Sequence, residues 1–430
     1  MKELAKQLDA GYEWKAVLLL ALGFGLVGLD RWIITPLFPV MMKDLNLGYQ
    51  DLGNIIAVLG LSWGIFSIIM GGLSDKIGRR KVLIPSIIMF SLLSGLTGLA
   101  GGLVSLLLIR SIMGITEGSF GPASVAATAE ASKPSRRGFN MGLQQSTFAL
   151  FGLGFGPIIA TQLLSVVPSW HWVFVIVAIP GFILAFFMHR IIKEPKHIQE
   201  KKEMQAKQVK VDVKADQTKH RWVDIFRYRN IILCMFGLCG IMTCIFVLSA
   251  MVPNYLTDFL KLSITQMGFV TSAIGFGAFF GQIAIPALSD RLGRKIVTVI
   301  ALIVGIVFLL LFIGMGASPF GLFALLFWVA FFCNGCLCML AGTITIESVP
   351  AALISSAAGT IIGVGEIFGG GVAPSIAGFV AQHFGIETTL YLALSGLIAC
   401  TAFCLFIKET APIRVQKSVE SKAEVQAIQA

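Results

Sequence analysis

The segment GGLSDKIGRRKV, residues 71–82, returns later in the chain as PALSDRLGRKIV, residues 286–297. The two copies are offset by 215 residues in a chain of 430. A second landmark repeats in the same order, because Glu130 returns as Glu347 at the similar offset of 217. This regularity indicates that the chain consists of two similar halves, each of which contains the same loop.

The composition identifies the environment of these halves. Hydrophobic residues make up 56% of the chain and charged residues 13%, whereas a soluble domain has about 25% charged residues. Apolar runs near the length of a membrane span, about 20 residues, recur along the chain. We predict twelve spans, at residues 16–37, 52–72, 82–100, 103–130, 139–162, 171–191, 230–255, 265–287, 296–315, 318–346, 353–380 and 387–407. The sequence therefore predicts an all-α polytopic membrane protein with two pseudo-symmetric six-helix bundles.

The longest polar interruption divides the predicted spans into two groups of six. We predict an N-terminal bundle at residues 1–192, a linker at 193–228, a C-terminal bundle at 229–410 and a tail at 411–430. Lys and Arg accumulate in cytoplasmic loops, and most of the 33 Lys and Arg residues fall on one side of the predicted spans. This bias predicts a multi-pass plasma-membrane protein with both termini in the cytoplasm. It also explains the net charge of +10 without a nucleic-acid partner.

The repeated segment resembles a known signature. Its Gly, Asp and Gly-Arg-Arg-Lys spacing resembles the loop between the second and third helices of the major facilitator superfamily. The stretch RSIMGITEGSFGPAS, residues 110–124, resembles the fourth-helix motif of the same superfamily. The resemblance covers both halves of the chain. It implies a twelve-helix transporter with a substrate site between the halves, near the middle of the membrane.

Charged residues recur at the ends of the helices that flank the repeated loops. Together with the loop residue Gly72, the charged residues are Asp75, Arg79, Glu130, Asp290, Arg294 and Glu347. In the superfamily, such loops hold the outward-facing state closed on the cytoplasmic side. The resemblance therefore implies a conformational latch, with Glu130 and Glu347 as ion-pair partners for the arginines. A simpler interpretation, that the cations only set the topology, remains open.

Four ionisable residues interrupt the apolar runs of the first and fourth predicted spans. Asp30 and Arg31 are adjacent, whereas Arg110 and Glu117 are seven residues apart and share a helix face. A charge at the bilayer centre costs about 2.5–3.5 kcal/mol on insertion scales, so it normally faces a partner or a cavity. The four residues could form a purely structural ion-pair cluster. They could also couple two ligands, because anion binding at an arginine changes the proton affinity of a nearby buried acid.

The same four residues resemble the pattern of the anion:cation symporter family, which includes proton-coupled sugar-acid carriers and vesicular organic-anion transporters. Lysolipid carriers of the spinster type share a similar pattern. The resemblance implies that Asp30 and Glu117 couple protons and that Arg31 and Arg110 bind the substrate. It also implies a polar residue in the fifth helix, for which Gln144 and Gln145 are the candidates.

The second half contains fewer candidates. Its one central ionisable residue is Glu366, in the stretch GTIIGVGEIFGGG at residues 359–371. We expect Glu366 to be either a site residue or the partner of an arginine in the first half. Asn334 could form hydrogen bonds with a polar solute. Both residues complete the predicted substrate site.

Two functions remain open at this point. The first is proton-coupled symport of a small organic anion, such as a sugar acid. The second is proton-driven efflux of drugs or lysolipid-like amphiphiles, because GLGFGP at residues 152–157 resembles part of an antiporter motif. We expect no enzyme activity, cofactor or metal, since no nucleotide loop, metal-ligand spacing or nucleophile–base set is present. The predicted partners of a monomeric chain are the substrate, protons and the lipid bilayer.

Overall fold

The structure is a computed structural model. It describes residues 10–133, 136–193, 222–350 and 353–411, apart from the side chains of residues 10, 71, 72, 75, 76, 137, 138, 222 and 354–356. Within these ranges, twelve helices are long and apolar enough to cross a membrane. Numbered α1 to α12 in chain order, they are Gly11–Asp44, Tyr49–Met70, Arg79–Thr97, Leu103–Ala131, Phe139–Val166, Trp170–Ile191, Arg229–Phe259, Ile264–Leu292, Arg294–Ile313, Pro319–Glu347, Ala357–Phe384 and Thr388–Leu405. The predicted all-α fold with twelve spans is confirmed.

Several helices extend beyond the predicted spans. The apolar run at residues 16–37 is only the centre of α1, which covers Gly11–Asp44, and the helix that contains α2 continues to Ile77. Hydropathy detects the residues that contact hydrocarbon, whereas backbone hydrogen bonding continues into the polar flanks. Of the predicted linker, residues 194–221 lie outside the described ranges, and a 3-10 turn at Trp222–Arg227 leads into α7.

The repeated loops have the same backbone conformation in both halves. Gly78 joins α2 to α3 with a φ of 107°, and Gly293 joins α8 to α9 with a φ of 104°. Their N–H groups donate to the carbonyl oxygens of Ser74 and Ser289, at 3.1 and 3.0 Å. Glycine adopts a positive φ without a steric penalty. A single glycine therefore reverses the chain between two long helices in each half.

Glycines also set the packing inside each half. A Cβ atom at Gly114 or Gly118 of α4 would lie 2.5 Å from a carbonyl oxygen of α2. The equivalent contact in the second half joins α8 to α10, where a Cβ atom at Gly277 or Gly281 would lie 2.2 or 2.0 Å from a carbonyl oxygen. Small residues of this kind allow membrane helices to approach closely.

The two halves meet where α5 contacts α8 and where α2 contacts α11. A Cβ atom at Gly275 of α8 would lie 1.8 Å from the backbone nitrogen of Gly154, and one at Gly60 of α2 would lie 2.3 Å from the carbonyl oxygen of Gly370. Gly154 and Gly370 belong to the π-helical segments Leu150–Phe155 and Glu366–Val372. Such segments are frequent at functional sites, and the second one begins with Glu366.

The ends of the helices define two faces of the molecule. We call the end with the Gly78 and Gly293 loops and the Trp222–Arg227 turn the linker end. The opposite end, with the loops at residues 45–48 and 260–263, is the distal end.

Candidate substrate and proton site

A break in α1 follows directly after Asp30 and Arg31. The helix is interrupted at Ile33, between the segments Ala10–Trp32 and Ile34–Asp44. Pro36 has no N–H group to donate to the carbonyl oxygen of Trp32, and the Thr35 hydroxyl donates to that oxygen instead, at 2.9 Å. The interruption therefore lies beside two charged residues, and the freed carbonyl group of Trp32 is satisfied by a side chain.

Arg110 of α4 binds the backbone of α1 at this break. Its Nη1 atom donates to the carbonyl oxygens of Asp30 and Arg31, at 3.0 and 3.2 Å. Its Nε and Nη2 atoms are buried and have no hydrogen-bond partner among the described residues. A buried polar group without a partner is costly. Arg110 therefore retains donors that an anion would satisfy.

Asp30 is paired with a residue that the sequence did not indicate. Its Oδ1 atom accepts a hydrogen bond from the Ser94 hydroxyl of α3, at 2.8 Å. Within the described residues, no ion pair joins Asp30 to Arg110. Serine is common in membrane helices, so no sequence pattern marked Ser94.

Arg31 reaches into the other half of the molecule. Its Nη2 atom lies 3.0 Å from Oε2 of Glu366 in α11. Three aromatic rings surround its guanidinium group, with centroid distances of 5.8 Å to Trp32, 5.6 Å to Trp63 and 4.9 Å to Phe246. Rings at this distance attract a cation. The structure therefore places Arg31 between the halves, with Glu366 as its charged partner.

Glu117 is enclosed without a hydrogen-bond donor. Both of its carboxylate oxygens are buried, and no residue in the described part of the chain donates a hydrogen bond to them. Glu117, Arg110, Asp30 and Arg31 are only 0, 1, 2 and 3% exposed. A cavity of about 10 Å³ lies between the two arginines, room for about one water molecule. The site is therefore closed in this conformation.

The remaining predicted site residues lie in different surroundings. Gln144 is fully buried and its Nε2 atom donates to the Ser124 hydroxyl of α4, at 2.8 Å, whereas Gln145 is exposed. The amide nitrogen of Asn334 donates to the carbonyl oxygen of Ala330 in its own helix, at 3.0 Å. No hydrogen bond in the described structure joins Gln144, Gln145 or Asn334 to the four charged residues of α1 and α4.

The arginines of the repeated loops are paired inside their own halves. Arg79 donates to the Ser74 hydroxyl at 2.7 Å and lies 3.2 Å from Glu130. Arg294 repeats this arrangement with Ser289 at 2.7 Å and Glu347 at 2.8 Å, and it also pairs with Asp290. The side chains of Gly72 and Asp75 lie outside the described residues. The two copies thus share an Arg–Ser–Glu arrangement.

Hydrogen bonds join the two halves at the distal end. The Tyr49 hydroxyl of α2 donates to Oδ2 of Asp258 in α7, at 2.8 Å, and the Tyr49 backbone nitrogen donates to Gln382 of α11, at 3.0 Å. Ser375 of α11 donates to Oδ1 of Asn54 in α2, at 2.7 Å. These bonds hold α2 against α7 and α11 on the distal side of the site.

Known proteins resemble this chain over most of its length. The hexuronate transporter of Bacillus subtilis (strain 168) is 26% identical over 413 residues, which cover 92% of this chain and 94% of that protein. The sialic acid transporter NanX of Escherichia coli (strain K12) is 24% identical over 388 residues, 88% of this chain and 90% of that protein. The crystal structure of a bacterial homolog of the human lysosomal transporter Spinster, in an inward-facing and occupied conformation, has a TM-score of 0.70 at 15% identity and covers 92% of this chain and 97% of that chain.

The sequence model of a protein family matches both halves. The matched residues are 20–362 and 246–429, and the family is the Major Facilitator Superfamily. The twelve helices, the two copies of the glycine loop and the charged site between the halves agree with this match. The chain therefore belongs to the Major Facilitator Superfamily and is a transporter rather than an enzyme.

Proposed function

We propose that this transporter carries a small organic anion, a sugar acid or another carboxylate, together with protons by alternating access. In this proposal the chain is a monomer in the plasma membrane, with both termini in the cytoplasm. Asp30 and Glu117 couple the protons, and Arg31 and Arg110 bind the anion. The relatives named for hexuronate and sialic acid support the substrate class, since both compounds are sugars that carry a carboxylate.

The arrangement of Arg110 and Glu117 carries the proposal. Among the described residues, two donor nitrogens of Arg110, Nε and Nη2, have no acceptor, and the two carboxylate oxygens of Glu117 have no donor. A planar guanidinium group can bind both oxygens of a carboxylate. An isolated ionised carboxylate is costly to bury, so the charge on Glu117 and the charge bound at Arg110 depend on each other. That dependence supports coupled movement of an anion and a proton.

Glu366 has a defined role in this scheme. Its carboxylate lies 3.0 Å from the guanidinium group of Arg31. A substrate carboxylate that binds Arg31 must therefore displace it. The displaced Glu366 then loses its charged partner inside a buried site, which is costly unless a polar group of the substrate pairs with it. Gln144, buried beside α4, and Asn334 remain candidates for the hydroxyl groups of a sugar, whereas Gln145 is exposed.

The test is transport by the purified chain in proteoliposomes with an imposed pH gradient. We expect labelled D-glucuronate, a hexuronate, or labelled N-acetylneuraminate, a sialic acid, to accumulate against its gradient when the outside is acidic. Asp30→Asn and Glu117→Gln are expected to abolish this accumulation, because each removes a proton carrier from the buried cluster. Exchange of labelled for unlabelled substrate without a gradient is expected to survive in at least one of them.

The control is Asp224→Asn, which changes a carboxylate outside the membrane spans that is paired with Arg227. Full accumulation by both Asp30→Asn and Glu117→Gln would rule out their role in proton coupling. Accumulation that requires an acidic lumen instead would contradict symport and favour proton-driven efflux.

A further inference from the structure

A row of buried polar side chains extends from Glu117 to the linker end. Residues 117, 124 and 128 of α4 and Ser132, which caps the end of α4, are four or seven positions apart, so they lie within about 80° of one helix face. The neighbouring helices α5 and α1 add polar side chains to the same row. We call the complete set the polar seam, and it consists of Glu13, Glu117, Ser124, Thr128, Ser132, Asn140 and Gln144.

Hydrogen bonds connect the three helices along the seam. At the linker end, Nδ2 of Asn140 donates to Oε1 of Glu13 at 3.1 Å and to the Ser132 hydroxyl at 2.8 Å. The Ser132 hydroxyl donates to the carbonyl oxygen of Thr128, at 2.6 Å. Nearer to Glu117, Gln144 donates to the Ser124 hydroxyl, at 2.8 Å. The seam therefore joins α1, α4 and α5 through polar contacts in a region that is otherwise apolar.

The seam also contains polar atoms that no group of the described residues satisfies. They are Oε1 and Oε2 of Glu117, Oε1 of Gln144, Oγ1 of Thr128, Oδ1 of Asn140 and Oε2 of Glu13. All five residues are 0% exposed. Buried polar atoms in native proteins are nearly always paired with protein groups or with ordered water. Unpartnered atoms concentrated along one row point to a chain of bound water molecules.

We propose that the polar seam is a water-lined proton path between Glu117 and the linker end. The proposal rests on proton coupling by Glu117, as proposed above. Glu117 is 0% exposed in this conformation, so it cannot exchange a proton directly with bulk water. Ser132 lies fifteen residues beyond Glu117, about 22 Å along the helix, which is too far for a direct transfer.

The transfer conserves protons at every step. Glu117 releases one proton to the nearest water, each water accepts one proton and releases another, and the carboxylate of Glu13 accepts the last one. Glu13 is itself 0% exposed in this conformation, so it returns the proton to the solvent only when the linker end of α1 opens. The charged groups near this end include Arg136, 5.8 Å over the ring of Trp14, and Lys193, 5.1 Å over the ring of Tyr12. Glu130 is a further charged group at this end, close enough to act on Tyr12.

Two substitutions test the path without changing the substrate site. Thr128→Val removes one hydroxyl group at nearly constant volume, and Glu13→Gln removes the terminal proton acceptor while keeping its shape. The matched control is Thr271→Val in α8, because the Thr271 hydroxyl is also buried and has no hydrogen-bond partner. Each variant is reconstituted as the full chain and assayed with labelled D-glucuronate and labelled N-acetylneuraminate.

We expect both seam variants to exchange substrate at the wild-type rate in the absence of a pH gradient. The initial rate of accumulation driven by the pH gradient should fall about a hundredfold, the lower end of the contribution of a positioned proton-transfer group. Thr271→Val should keep both activities. If Thr128→Val and Glu13→Gln both accumulate substrate at the wild-type rate, the polar seam is not the proton path. If instead Glu117→Gln accumulates substrate normally, the proposed coupling itself fails.

A second measurement does not depend on the substrate. In an experimental structure of the full chain at a resolution that shows ordered water, we expect water molecules within hydrogen-bonding distance of Gln144, Thr128 and Asn140. In Thr128→Val the water next to position 128 should be lost. A dry seam in a map that shows other buried waters would overturn the path, whatever the transport assays give.

Discussion

At the scale of single residues, Arg110 offers the most direct test of anion binding. Arg110→Lys keeps the positive charge but replaces the planar fork with one ammonium group, which cannot hold both oxygens of a carboxylate. We expect the Kd for a bound sugar acid to rise about tenfold or more, or about 1.4 kcal/mol. Titration of the purified variant with D-glucuronate and N-acetylneuraminate measures this change. Arg190→Lys, at an exposed position of α6, is the control, and normal binding by Arg110→Lys would identify Arg110 as a structural residue.

Glu366→Gln is expected to raise the affinity for a sugar acid, whereas Arg110→Lys is expected to lower it. Glu366→Gln removes the carboxylate that lies 3.0 Å from the guanidinium group of Arg31. A hydrogen bond to a charged group contributes about 1.5–3 kcal/mol, so the variant should bind a sugar acid at least about tenfold more tightly. Titration of the purified variant with D-glucuronate, with Glu387→Gln as the control, measures this effect. Weaker binding by Glu366→Gln would show that this carboxylate contacts the substrate instead.

The sequence indicated the individual charged residues of the site and allowed Glu366 to pair with an arginine of the first half, but it did not indicate which arginine, nor the partners of the other residues. Asp30, Arg31, Arg110 and Glu117 stand out because each is costly among apolar neighbours. The contact of Arg31 with Glu366 spans 335 positions, and nothing local in either stretch encodes it. The choice between Gln144 and Gln145 depends on the rotation of α5 about its axis. The packing of α5 against α4 determines that rotation, which places Gln144 inside and Gln145 outside.

At the scale of the helices, the paired arginines of the repeated loops suggest how a weak contact can control a conformation. Arg294 binds Glu347, and the Thr410 hydroxyl donates to the same carboxylate at 2.7 Å. Partly exposed pairs contribute about 1 kcal/mol or less, which can still shift a two-state population several-fold. Glu347→Gln should therefore change the transport rate and the balance between the two states, and leave the intrinsic affinity of each state unchanged. We expect Asp75→Asn to act in the same way.

Spin labels at the linker ends of α4 and α10 measure that balance. The expected result is a change in the relative weights of the distance populations, with no new distance. Asp224→Asn, which breaks a pair within one helical turn, is the control. An unchanged distance distribution together with lost substrate binding would place Glu347 in the substrate site and refute the latch.

Helix positions were predictable to within a few residues because hydropathy is a local property with a threshold set by the bilayer. The helix ends were not predictable in the same way. α1 starts five residues before its apolar run at Ala16 and ends at Asp44, since polar residues continue a helix as well as apolar ones. The π-helical segments at Leu150–Phe155 and Glu366–Val372 also escaped prediction. They occur where glycines bring the two halves into backbone contact, which is a property of the assembled bundles.

At the scale of the whole molecule, the contacts between the halves are distributed unevenly. Tyr49, Asn54 and the glycine contact of Gly60 with Gly370 join α2 to the second half on the distal side and at mid-depth. At the linker end, Arg79 and Arg294 each pair within their own half. Alternating access between two six-helix halves requires the distal contacts to separate in the opposite state. The distal hydrogen bonds therefore stabilise the present conformation over the alternative.

Tyr49 provides the test of this asymmetry. Tyr49→Phe keeps the ring and removes the hydroxyl that donates to Asp258 at 2.8 Å. Loss of a hydrogen bond to a charged group costs about 1.5–3 kcal/mol, so the distal-open population should rise roughly tenfold or more. Distances between spin labels at positions 43 and 265, on the distal ends of α1 and α8, measure the change. Tyr391→Phe, at an exposed position of α12, should leave the distances unaltered. If Tyr49→Phe gives the wild-type distribution as well, the bond to Asp258 does not hold the distal end closed, and the glycine contacts of α2 with α11 and of α5 with α8 would have to do so.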